Sequence, residues 1–164
     1  TEYLPRKAAG RAPARVLFTG EAGSGKTALV LRSALSRIRA GRRAPAIVVV
    51  APRTGELRGW QDPTSMFEAF DLHVVRCSRE ALPSALAALD GEVLIDTPAT
   101  FRVTNDLDVH VRQVVDARAA GSAPSSDRLP ADSVVLTHID AAPALGYVTE
   151  RLIAMNVPVS ALIR

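Results

Sequence analysis

At 164 residues with a single cysteine, Cys77, the chain fits one domain with a proper core and excludes an internal disulfide. Hydrophobic residues make up 48% but aromatics only 4%, so Ala, Val and Leu fill the interior and few aromatic platforms exist for stacking bases. No apolar run approaches membrane-spanning length and no secretory signal appears, which points to a soluble protein of the reducing cytoplasm. The net charge of +3 includes a cluster of Arg6, Lys7, Arg11 and Arg15 and the pair Arg42-Arg43. These read as a solvated basic face or an anion-facing surface; without a helix-turn-helix, zinc or RNA-binding signature, RNA or DNA is not indicated.

Residues 1–14, with Pro5, Gly10 and Pro13, read as a basic arm or linker, and 15–164 as the domain. The first strand is expected at 15–19. A helix over 28–39 follows, with Ala28, Leu31, Leu35 and Ile38 on one face and Gly41 as its stop. The β-branched run 46–51 reads as a central parallel strand. Next come a helix near 64–70, a strand at 73–77 containing Cys77, and a helix at 79–89 with Pro83 in its first turn. A strand at 92–96 ends in Asp96. Leu107, Val111, Val114 and Val115 share a helical face, so 105–120 is expected to be a helix. After a polar loop at 121–132 come a strand at 133–137, a helix at 143–155 and a strand at 157–163. The alternation predicts an α/β, three-layer fold with a mostly parallel sheet and helices on both faces, and the glycine loop between the first strand and the first helix makes it a P-loop fold.

The chemistry concentrates at Gly20-Glu21-Ala22-Gly23-Ser24-Gly25-Lys26-Thr27, between the first strand and the first helix. Glycines there let successive N–H groups converge on phosphate, and the helix N-terminus reinforces them. Lys26 would reach the outer phosphates and Thr27 would ligate Mg2+. Lys26 is one of only two lysines, with Lys7, and a compact ammonium is what this site needs. Asp96 would hold magnesium at its strand end, or cap the turn that follows. Thr137-His138-Ile139-Asp140 resembles the guanine-reading Thr-Lys-x-Asp box of GTPases; Asp140 could instead cap a helix. The expected nucleotide-binding set is Gly20 to Ala28 with Thr137, His138 and Asp140. Lys26, Thr27 and Asp96 are the expected catalytic group, with Thr27 and Asp96 on the metal.

Together these motifs resemble the signal-recognition-particle-type GTPases (Ffh, FtsY and FlhF), with FlhF as the nearest likeness. The resemblance runs from about Val16 to the end of the chain. It rests on the glycine loop, on Ile95-Asp96-Thr97-Pro98, and on Leu136-Thr137-His138-Ile139-Asp140 followed by Gly146 and Val157-Pro158-Val159-Ser160. Departures are His138 for the family lysine, Ala99 for a glycine, and Ala51-Pro52-Arg53-Thr54-Gly55-Glu56 for the Asp-Thr-x-Arg box. The polar loop at 121–132 falls where the family has an apolar strand, so that strand is expected to be missing. The G domain is then shortened or incomplete.

The resemblance implies GTP/GDP and Mg2+ as ligands, and a homodimer or another NG-type GTPase domain as partner. It also implies a regulatory ATPase or a membrane-targeting partner. The function implied is a switch in protein targeting or polar flagellum placement, in the cytoplasm or at the inner face of the cell membrane. With the second box altered, hydrolysis by the monomer is expected to be weak. Two alternatives stand beside it: a non-hydrolysing regulator or scaffold, and an ATP-using P-loop enzyme. Turnover with a partner domain separates the first from a GTPase, and ATP preference unaffected by Asp140→Asn would favour the second.

Overall fold

The computed structural model describes residues 14–104, 106–119, 131–142, 146, 149–150, 152–153 and 156–163. Seven parallel strands form one sheet in the order β3-β2-β4-β1-β5-β6-β7. In chain order they are β1 (Arg15–Thr19), β2 (Ala46–Val50), β3 (Val74–Cys77), β4 (Val93–Asp96), β5 (His110–Asp116), β6 (Ser133–Thr137) and β7 (Val159–Leu162). Among the described residues the helices include α1 (Lys26–Arg39), α2 (Thr64–Glu68) and α3 (Leu82–Ala87). Gly146, Thr149, Glu150, Leu152 and Ile153 are also helical; the rest of the helix expected at 143–155, like the arm through Pro13, lies outside the described residues.

Because successive strand residues point to opposite faces, each strand feeds two cores. Val16 and Phe18 of β1, Ile47 and Val49 of β2 and Val114 of β5 pack beneath Leu29, Val30 and Ala34 of α1 and Phe67 of α2. Leu17, Val48, Val50 and Ile95 face the other way, against Leu82 and Leu86 of α3 and Phe101. Helices therefore cover both faces, as the alternation of elements demands. Arg37 of α1 donates to Glu92 at 2.7 Å, and Arg42 pairs with the same carboxylate, so the end of α1 is tied to the start of β4. Cys77, half-buried, packs against the second core, and burial pushes its thiol up.

The expected helix at 105–120 is instead a strand. β5 lies between β1 and β6 in the register Leu17↔Val111 and Val115↔Leu136. Val111 and Val114, which would share a helix face, lie on opposite sides of the sheet. The spacing of the valines fits period 3.6, yet their β-branching favours the pleated surface, and pairing to strands on both sides decides the outcome. Of the loop expected at 121–132, residues 121–130 lie outside the described residues, and Ala131 and Asp132 lead into β6.

Candidate functional site

β1 ends at Thr19 and the chain turns at Gly20, whose φ is +149°. A Cβ there would stand 2.3 Å from the Val114 carbonyl oxygen of β5, so only glycine fits this approach. Gly23 and Gly25 adopt left-handed φ of +74° and +86°, and α1 begins at Lys26. Leu29 N–H donates to the Gly25 carbonyl at 2.9 Å, leaving the earlier amides of the turn at the helix N-terminus. The Lys26 ammonium folds over the loop and donates to the carbonyls of Gly20 at 2.9 Å and Glu21 at 2.6 Å. Burial pulls Lys26 below its ordinary range, opposed by the charges of Asp96 and Glu21. The Ser24 hydroxyl is buried without a hydrogen-bond partner.

The predicted metal pair is brought together. Thr27 Oγ1 donates to Asp96 Oδ2 at 2.7 Å, while Asp96 Oδ1 is buried with no partner. Asp96 is 5% exposed, and burial pushes its carboxyl up to about 6, opposed by the Thr27 hydroxyl, Lys26 and the Thr97 amide. A buried carboxylate beside a P-loop hydroxyl, with one oxygen unengaged, is a donor set that fits a hard divalent cation. Thr97, next along, donates its hydroxyl to the Phe18 carbonyl at 2.7 Å and pins the end of β4 to β1.

The third predicted piece arrives along β6. Thr137 Oγ1 donates to the Ser24 carbonyl at 2.9 Å, with the Val115 carbonyl at 3.3 Å. His138 is left-handed (φ 54°), and its Cε1 lies 3.9 Å from where a Cβ on Gly25 would stand. Asp140 sits exposed in the following 3-10 turn, Ile139–Ala141. Glycine loop, metal pair and Thr-x-x-Asp segment thus share the edge formed by the C-terminal ends of β1, β4 and β6.

Two residues that the sequence reading passed over join them. His138 Nδ1 lies 3.4 Å from Asp116 Oδ1 at the end of β5, within ion-pair reach but outside hydrogen-bond geometry. Arg118 grips Asp116 with two guanidinium nitrogens, at 2.6 and 3.0 Å. The Arg118 hydrogen bonds hold the Asp116 carboxyl below the usual range. Val114-Val115-Asp116 repeats the pattern of Leu94-Ile95-Asp96, an apolar strand closed by a carboxylate. That signal was available, but the helical spacing masked it.

The fold is a parallel α/β sheet with a glycine loop of P-loop pattern between β1 and α1, and it resembles several solved structures. The Thermotoga maritima cell division protein FtsY has TM-score 0.66 and 16% identity, over 93% of this chain and 62% of that one. The Aeropyrum pernix signal recognition particle 54 kDa protein in complex with GDP has TM-score 0.63 and 18% identity, over 99% and 44%. FlhF complexed with GMPPNP/Mg2+ has TM-score 0.60 and 15% identity, over 93% and 66%. FlhF is no nearer than FtsY, which corrects the expected special likeness to it. The chain spans only part of the length of each solved protein, 44–66%. No protein-family model matches the chain, and no curated protein matches it.

Proposed function

We propose that the chain is a GTP-binding switch of the signal-recognition-particle type. The observation that carries this reading is the convergence of Lys26, the Thr27–Asp96 pair and the Thr137–Ser24 bond on one edge of the sheet. Amides of 23–27 at the start of α1 bind the phosphates, and Lys26 contributes the ammonium that neutralises them. Thr27 and Asp96 hold magnesium, which when bound screens the charge of the outer phosphates. Thr137 sets the base-binding segment against the P-loop, so that Asp140 accepts hydrogen bonds from the guanine edge and His138 flanks the ring.

A specific observation favours slow hydrolysis. Glu56, the only carboxylate between Ala51 and Trp60, accepts from Thr100 Oγ1 at 2.7 Å and from the Arg53 amide at 3.4 Å. It is engaged in bracing two loops, so hydrolysis needs a group from a partner, a second copy or another NG-type domain. A role in protein targeting or flagellum placement belongs to this same proposal. Titration with fluorescent GTP and ATP analogues plus magnesium tests it. GTP-selective binding lost in Lys26→Ala supports the switch; ATP preference, or no binding, overturns it.

A further inference from the structure

Beside the proposed nucleotide edge lies a cleft whose Arg79 and Phe101 have no part in the function above. It consists of two adjoining cavities of about 370 and 210 Å3 that share Arg53, Arg79 and Phe101. Three segments wall it, each leaving the C-terminal end of a neighbouring strand: Arg53 after β2, Arg79 after β3, and Phe101 with Arg102 after β4. In open parallel sheets this is the end where ligands bind, and the larger cavity has the size of a small-molecule site.

Arg79 is the prepared group. Its guanidinium lies 5.1 Å from the centre of the buried Phe101 ring and donates to the Arg102 carbonyl at 2.6 Å. Among the described residues no carboxylate comes within ion-pair distance of it. Of the nearby acids, Glu56 is braced by Thr100 and the Arg53 amide, while Glu80 and Asp106 feel the charge of Arg79 without pairing with it. The second cation, Arg53, makes only a loose 3.9 Å contact with Glu80, both side chains being about two-thirds exposed (65% and 68%). A planar guanidinium fixed on a ring with donors to spare is preorganised for two-point binding of an oxyanion.

We infer that this cleft binds a small polar metabolite carrying an oxyanion, a phosphate monoester or a carboxylate, flanked by hydroxyl groups. Arg79 and Arg53 hold the oxyanion, and the rim carboxylates accept hydrogen bonds from the hydroxyls. The ligand rests on the loop that begins right after Asp96-Thr97, and that loop is latched to the β2 side by the Thr100–Glu56 bond.

Glycerol 3-phosphate and malate serve as probes, titrated by amide chemical shifts into two samples. One is the full chain with GDP and magnesium; the other is Lys26→Ala without nucleotide. Saturation in the millimolar range is expected, with shifts at Arg53, Arg79, Thr100 and Arg102. Which probe saturates tells phosphate from carboxylate. Arg79→Ala should weaken binding about tenfold or more, as loss of a charge-assisted pair does, and Arg53→Ala should weaken it less. Were Arg79→Ala not to fold, the exposed Arg53→Ala would carry the test. No saturation by either probe, shifts confined to the P-loop, or unchanged affinity in the arginine variants would overturn the assignment. The Lys26→Ala sample separates failure here from failure of nucleotide binding.

Discussion

Replacing Asp96 by Asn should stabilise the nucleotide-free protein while destroying magnesium-dependent binding. Burial raises the Asp96 carboxyl from 3.8 to about 6, and at about 1.4 kcal/mol per tenfold change in proton affinity this corresponds to about 3 kcal/mol. Below about pH 4 the group is protonated in folded and unfolded chains alike, and its ionisation costs the folded state nothing. As pH rises toward 6 the unfolded chain sheds the proton first, so stability falls, and above about 6 the whole cost is expressed. Asn never ionises, yet its Nδ2 takes over the orphaned position of Oδ1 and gives back about 1–2 kcal/mol as an unsatisfied donor. The expected net gain near neutral pH is about 1–2 kcal/mol, a rise in Tm of several degrees for a chain of this size. Urea unfolding in EDTA, at intervals from about pH 4 to 8, measures it. The reasoning fails if the variant is no more stable at neutral pH, or if the difference does not shrink toward pH 4. Added nucleotide and magnesium should reverse the ranking, raising the stability of the native chain alone.

Gly20→Ala places a methyl 2.3 Å from a backbone carbonyl of β5; about 2–4 kcal/mol of stability should be lost, visible by denaturant unfolding, with phosphate binding impaired. Thr137→Val keeps the shape of a buried side chain but strips the donor from the Ser24 carbonyl. About 1–3 kcal/mol is expected, with nucleotide affinity reduced although no nucleotide-facing atom has changed; isothermal titration with GDP checks this.

The parts legible in the sequence were those fixed by local chemistry. The strand Arg15–Thr19 and the strand Ser133–Thr137 were placed to the residue because each is an apolar run closed by glycine or a polar turn. Gly20 through Thr27 could be read because the glycines and Lys26 act within one turn. The parts that were not legible depend on distant partners. β5 is a strand because β1 and β6 flank it, a fact invisible to a periodicity that Leu107, Val111, Val114 and Val115 satisfy as a helix. Once β5 is misread, Asp116 and Arg118 are lost as neighbours of His138. The Arg79–Phe101 stack joins loops after β3 and β4, and nothing in either segment announces the other.

The sheet order also dictates a sequence of assembly. β1 and β2 are consecutive in the chain yet do not pair; β4 runs between them, pairing with β1 from Arg15↔Val93 and with β2 from Ala46↔Val93. A nascent chain that has emerged only through β3 therefore holds two strand edges apart, each still waiting for Val93–Asp96. Closure of that gap must wait for long-range pairing, the slow kind. The strand that fills it ends in the very carboxylate assigned to the metal, so the site cannot exist before the centre of the sheet is complete.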